Sequence, residues 1–132
     1  MSIVVDSSVL IAALIDTGSN GIWAEGIISC DSLYAPELVR VEVVNVLRRL
    51  ERSKLISAAE ANVARDDFLQ LDIILFPFKP FSDRIWELRH NLTSFDAWYV
   101  AVAEALELPL ATLDEALSRS TGAECEFLVP ER

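Results

Sequence analysis

Residues 3–12 read IVVDSSVLIA and residues 109–115 read PLATLDE. In both, a short apolar run ends at an aspartate: Ile3-Val4-Val5 before Asp6, and Leu110-Ala111-Thr112-Leu113 before Asp114. Runs of this kind, without polar alternation, suit strands covered on both faces. Working outward, Ser7 or Ser8 can cap a helix through Val9–Leu14. Gly18 to Gly21 break it, and a second short helix is expected over Ile22–Ser29. Leu33–Ala35 reads as a strand stopped by Pro36, which also suits the first position of a long helix over Glu37–Arg52. Leu38, Val41, Val43 or Val44, Leu47 and Leu50 are its expected apolar face. Ser57 and Glu60 form a capping box that starts a helix to about Leu71. Asp72–Phe76 reads as a strand and Ser82–Asn91 as a helix. Ser94 can cap a helix over Phe95–Leu106. Pro109–Leu113 is a strand, Asp114–Ser120 a helix and Glu126–Val129 a last strand. Strands alternating with helices predict an α/β fold with a parallel sheet flanked by helices. Such sheets bind ligands beyond the carboxyl ends of their strands. Asp6 and Asp114 both stand there.

The chain has 132 residues, with 21 Asp+Glu against 11 Lys+Arg, a formal net charge of −10. That length suits one domain, residues 1–132, with a core that needs no staples. Half of the residues are apolar, which excludes a disordered chain. No uncharged stretch approaches the ~20 residues of a membrane span. The N-terminus lacks the basic segment of a signal peptide. Cys30 and Cys125 have no metal-ligand spacing and make no disulfide scaffold. A soluble, cytoplasmic protein is the expectation. The acid excess argues against a general nucleic-acid binder. It leaves open an enzyme that meets a polyanion at one local site. Arg40, Arg48, Arg49, Arg52 and Lys54 gather five of the basic residues into one segment.

Four acids have contexts unusual for surface charge. Asp6 and Asp114 close strands, Glu42 lies among valines, and Asp96 opens the apolar run Phe95–Ala101. Taken singly, each has an ordinary explanation. Asp6 and Asp114 can be helix N-caps, Asp96 a first-turn acid, and Glu42 a solvated residue paired with Arg49. Taken together, a parallel sheet turns all four toward one edge. Carboxylates gathered in one cleft repel each other and raise each other's pKa, and a divalent cation relieves that cost. With no His or Cys at ligand spacing, the expected ion is hard: Mg²⁺ or Mn²⁺. Asp6, Asp96 and Asp114 are the candidate metal ligands. Thr112 and Ser7 or Ser8 can orient ligands or waters. Asn45, Arg49 and Arg52 continue the Glu42 face of their helix and could seat phosphates. An ordinary solvated helix face explains that stripe equally well. His90 suits a helix C-terminus better than a general base. Trp23, Trp86, Trp98 and Tyr99 read as core or interface aromatics, with base stacking by Tyr99 a lesser option.

Three runs, IVVDSSVLIA (3–12), PELVRVEVVNVLRR (36–49) and LTSFDAWYVAVAEALELPLATLDEAL (92–117), resemble the PIN-domain ribonucleases, specifically the VapC-type toxins of toxin–antitoxin pairs. The resemblance spans nearly the whole chain in the right order. It implies an α/β/α sandwich on a parallel sheet of about five strands and Mg²⁺- or Mn²⁺-dependent endonucleolytic cleavage of RNA. It places the family's acidic quartet on Asp6, Glu42, Asp96 and Asp114, its hydroxyl on Thr112 and its asparagine on Asn45. It further implies a cognate antitoxin that inserts a segment into the site, and a toxin homodimer. The acidity of the chain departs from what RNA binding leads one to expect.

Two other functions compete. A phosphoacceptor domain also places an aspartate after its first strand, but no acid pair precedes Asp6, the last lysine is Lys79, and Asp6 is followed by Ser7-Ser8 where the dehalogenase type needs Asp-x-Asp. A non-catalytic module of the same fold, binding a basic partner peptide, is the other alternative. The intact acidic set argues against it. No organic cofactor is expected.

Overall fold

A computed structural model describes residues 1–30 and 32–131. Five strands, β1 (Ser2–Val5), β2 (Ser32–Pro36), β3 (Ile73–Phe76), β4 (Leu110–Ala111) and β5 (Phe127–Leu128), form one sheet in the order β3-β2-β1-β4-β5. Every neighbouring pair is parallel. Seven α-helices connect them among the described residues: α1 (Ser7–Ile15), α2 (Ser19–Ile28), α3 (Leu38–Arg52), α4 (Ala58–Gln70), α5 (Ser82–Glu87), α6 (Ser94–Leu106) and α7 (Glu115–Ser118). Helix α1 packs on α2, α3 and α4, whereas α6 lies against β1, β2 and β4 with α5 beside it. The sheet is thus sandwiched between helices, as the alternation of strands and helices predicts. The order of connection reverses at β1, with β2 on one side and β4 on the other. That reversal opens a crevice at the carboxyl ends of β1 and β4.

The core is aliphatic and continuous. Val4 and Val5 of β1, Val9 and Leu10 of α1, Val39 and Val43 of α3, and Val100 and Val102 of α6 are fully buried. No helix among the described residues is long and apolar enough to cross a membrane.

Several local details correct the sequence reading. Helix α1 is capped by Asp6, whose carboxylate accepts the Val9 N–H, not by Ser7 or Ser8. Helix α2 starts at Ser19, so Gly21 lies inside it. A Cβ there would sit 1.7 Å from the Asp16 carbonyl oxygen, and this glycine serves close packing, not a break. Pro36 ends β2, and α3 begins at Leu38. The buried stripe of α3 is Val39, Val43 and Leu47, while Val41 is 68% and Val44 44% exposed. With valine at 39, 41, 43 and 44, composition alone cannot fix how the helix is rotated. Helix α5 stops at Glu87, well short of Asn91, and Thr93 caps α6 in place of Ser94. The Ser57–Glu60 capping box forms as expected.

A buried-edge ion pair ties α5 and α6 to the loop before β5. Arg84 Nε donates to Glu104 Oε1 at 2.7 Å and Nη2 to Oε2 at 3.0 Å. Arg84 Nη2 also donates to the Gly122 carbonyl, and the Glu124 N–H donates to Glu104. Burial pushes the Glu104 carboxyl up, but the Arg84 guanidinium and the Glu124 N–H outweigh it and hold it below its ordinary 4.5. A depressed pKa stabilises the fold above the unfolded value and loses that contribution as pH falls through the folded one. Glu104→Gln is therefore expected to cost about 1–2 kcal/mol at pH 7. The difference in melting temperature from wild type should close as the pH is lowered below 4.5.

Candidate active site

The register of β1 against β4 builds the centre of the crevice. Val5 pairs with Ala111, so the next residues, Asp6 and Thr112, meet at the carboxyl edge. Asp6 is only 7% exposed and Thr112 is fully buried. Thr112 Oγ1 donates to Asp6 Oδ2 and accepts the Asp114 N–H at 3.0 Å. Asp6 Oδ1 accepts Ser8 Oγ–H at 2.5 Å and the Val9 N–H at 3.2 Å. Ser8 Oγ in turn accepts the Leu113 N–H at 3.0 Å. Three donors therefore fix one buried carboxylate, and two of them tie the start of the chain to its end.

The other acids arrive on helix starts at the same edge. Asp114 caps α7, accepting the Leu117 N–H at 3.1 Å. Asp96 stands in the first turn of α6, where its own N–H is capped by Thr93 Oγ1. Glu42 is half-buried in the second turn of α3, and the buried Tyr99 of α6 donates its hydroxyl to Glu42 Oε1. The capping reading of Asp6 and Asp114 holds, since each carboxylate accepts a backbone N–H of the helix it precedes. A cap aims a carboxylate at a fixed point, and here that point is the crevice.

Electrostatics binds the four into one group. Burial raises the Asp6 carboxyl above its ordinary 3.8 despite its three donors, and the charge of Asp96 adds to the rise. Glu42 is raised by burial and then by Asp6 and Asp96, against the Tyr99 hydrogen bond. Asp96 is raised by burial and then by Asp114. Burial and the Glu42 charge lift the Tyr99 phenol far above its ordinary 10.0, so it stays a donor. Each acid lies within the field of at least one other, and desolvated carboxylates that repel favour a bound cation.

The donor set consists of carboxylate and hydroxyl oxygens, which fits Mg²⁺ or Mn²⁺. Among the described residues, no three His, Cys, Asp or Glu side chains are arranged to hold an ion by themselves.

The structure therefore brings together Asp6, Glu42, Asp96, Asp114 and Thr112. The hydroxyl that reaches Asp6 belongs to Ser8, whereas Ser7 lines a neighbouring groove. Asn45, Arg49 and Arg52 are exposed along α3. A rise of 1.5 Å per residue carries Arg49 about 10 Å and Arg52 about 15 Å down the axis from Glu42. The arginines thus lead away from the acids. His90 is exposed and lies beyond the C-cap of α5 at Leu88, so it caps no helix. Sequence reasoning missed the Tyr99–Glu42 contact. The available signal was a tyrosine in an apolar helix, whose hydroxyl must find a partner when the ring is buried.

A family model for the PIN domain matches residues 3–122, a span that holds all four acids. The VapC ribonuclease Mb0985 of Mycobacterium bovis is 38% identical over 130 residues, covering 98% of this chain and 99% of that protein. Among solved structures, PAE2754 from Pyrobaculum aerophilum superposes with a TM-score of 0.71 at 22% identity, covering 96% of this chain and 83% of that one. VapC20 of Mycobacterium tuberculosis, a toxin that cleaves the sarcin-ricin loop, superposes with a TM-score of 0.65 at 18% identity, covering 88% of this chain and 92% of that one. The chain belongs to the PIN-domain family, as a VapC-type ribonuclease.

Proposed function

We propose that this protein cuts RNA internally with Mg²⁺ or Mn²⁺ and is the toxin of a toxin–antitoxin pair. The observation that carries the reading is the buried Asp6 carboxylate at the β1–β4 switch point, held by Thr112, Ser8 and Val9, with Thr112 also holding the Asp114 N–H. Asp6 and Asp96 are assigned as direct ligands of the ion, with Asp114 and Glu42 completing the site or holding its waters. A bound divalent ion would lower the pKa of its water and neutralise charge on the phosphodiester under in-line attack. The chain's own residues provide the orientation. Thr112 and Ser8 fix both oxygens of Asp6, and Tyr99 fixes Glu42. Arg49 can contact a phosphate farther along the strand, with Arg52 beyond it.

An antitoxin is the proposed inhibitory partner. A mostly apolar groove of about 390 Å³, lined by Ser7, Ser8, Ile11, Ala12, Ile15, Asp16 and Val46, supports insertion of a partner segment there. The exposed Val41 and Val44 on α3 support a homodimer.

The test is cleavage of a single-stranded RNA by nuclease-free protein. Activity should disappear in EDTA and return with Mn²⁺ or Mg²⁺. Cleavage that persists in chelator would remove the metal from the reaction. Thr112→Val keeps the side chain's shape but deprives Asp6 of a donor and leaves the Asp114 N–H without an acceptor. Cleavage should drop about 10–100-fold, and Thr112→Ser should recover most of it.

A further inference from the structure

We propose that the Ser8 hydroxyl makes the acidic crevice selective for Mg²⁺ or Mn²⁺ over Ca²⁺, by occupying one of the two oxygens of Asp6. The proposal rests on the ribonuclease reading above and adds a specificity-determining residue to its ion site. It follows from the donors around a single carboxylate. A hydroxyl carries one proton, and an ionised carboxylate can only accept. The Leu113 N–H donates to Ser8 Oγ, and Ser8 passes its own proton to Asp6 Oδ1 at 2.5 Å. The next amide along, the Asp114 N–H, donates to Thr112 Oγ1, and Thr112 passes its proton to Asp6 Oδ2. The Val9 N–H adds a second donor to Oδ1 at 3.2 Å. A carboxylate oxygen has two lone pairs. Oδ1 is therefore filled, whereas Oδ2 keeps one pair free. Exchanging the two oxygens would break all three hydrogen bonds in a residue only 7% exposed. Glu42 Oε1 accepts from Tyr99 and Asp114 Oδ1 from the Leu117 N–H, and neither oxygen has a second donor among the described residues.

That single free pair discriminates between ions. Mg²⁺ demands near-octahedral geometry, keeps several waters and needs few protein oxygens. Mn²⁺ shares its preference for an octahedron of oxygens. Ca²⁺ takes about six to eight oxygens and accepts a carboxylate through both of its own. Asp6 can serve an ion through Oδ2 alone, which suits the smaller ions and denies Ca²⁺ an oxygen. Ser8 is the removable part of this arrangement. The Val9 N–H belongs to the backbone and to the cap of α1, and Thr112 holds the oxygen that stays open. Without the Ser8 hydroxyl, Oδ1 regains a lone pair and the Leu113 N–H loses its acceptor.

The experiment titrates metal-free protein with Mn²⁺, reads the free ion by electron paramagnetic resonance, and then displaces the bound ion with Ca²⁺. Binding that Asp6→Asn abolishes is the binding at this site. In wild type, Ca²⁺ should displace that Mn²⁺ poorly. Ser8→Ala should weaken Mn²⁺ binding while Ca²⁺ binding holds or tightens, so that the preference for Mn²⁺ falls about 10-fold or more. Ser8→Thr keeps the hydroxyl and should restore the wild-type preference. Ser8→Cys, a weak donor of similar size, should fall between, and it supplies the same comparison if Ser8→Ala does not fold. RNA cleavage by wild type with Mn²⁺ is measured alongside. Equal weakening of both ions in Ser8→Ala and Ser8→Cys overturns the proposal, because a residue that only supports the fold would act in that way. Wild-type cleavage then leaves the nuclease reading intact. A wild type that binds Ca²⁺ as tightly as Mn²⁺ also overturns the proposal. A wild type that shows the Ser8-dependent preference but cuts no RNA upholds the ion site and overturns the nuclease reading. Mn²⁺ binding untouched by Asp6→Asn overturns both.

Discussion

Asp6→Asn is expected to slow RNA cleavage by about 10³-fold, the scale of losing one preorganised charged group at a reacting centre. The loss should come without loss of fold. Asparagine has the same shape and still offers an oxygen to the surrounding donors. Burial raises the Asp6 carboxyl above its ordinary 3.8. A raised pKa means that this residue supports folding fully below 3.8 and ceases to do so as pH rises through the folded value. At neutral pH without metal, the ionised side chain therefore opposes folding, and a neutral one does not. In EDTA at pH 7, Asp6→Asn should melt at or above the wild-type temperature, and Mn²⁺ should stabilise wild type more than the variant. Retention of cleavage in Asp6→Asn would remove this residue from the chemistry. This is the stability–activity trade expected where charges are buried for function.

Gly21→Ala is expected to be the most damaging single-methyl addition in the molecule. The new Cβ would stand 1.7 Å from the Asp16 carbonyl oxygen and 2.6 Å from its carbon, both backbone atoms that cannot swing aside. Helix α2 would have to leave α1, at a cost of about 3 kcal/mol or more. For a domain of this size that corresponds to a fall in melting temperature of about 10 °C. Gly26→Ala is the control, being in the same helix with nothing within 4 Å of the added atom. It should stabilise by about 0.4–1 kcal/mol, because alanine loses less chain freedom on folding. Calorimetric melting of the two variants checks both signs. Equal behaviour would mean that α1 and α2 are not packed as described.

The architecture was legible because it rests on composition and period. Short apolar runs between helical segments force a covered parallel sheet, and the aspartates that end two of those runs mark its binding edge. That Asp6 follows the first strand directly was legible for the same reason. What escaped depended on rotation and reach. Four nearby valines cannot tell which side of α3 faces inward, so Val41 was assigned to a face that is in fact outside, and the choice between Val43 and Val44 stayed open until the structure selected Val43. Ser7 and Ser8 are equivalent as letters, and only the entry angle into α1 selects Ser8. Gly21 looked like punctuation because a helix–helix contact at its Cα leaves no local trace. Tyr99 was read by its ring, whereas its function at the site resides in its hydroxyl.

The Thr112–Asp6 and Leu113–Ser8 hydrogen bonds span 106 and 105 residues of sequence. A chain made only as far as Tyr99 holds the Ser8 and Val9 donors to Asp6 and the Tyr99 donor to Glu42, but lacks Thr112 and Asp114. The blade is assembled only when the closing stretch of the polypeptide docks. A product that ends before Thr112 lacks both of these hydrogen bonds and the last carboxylate of the crevice.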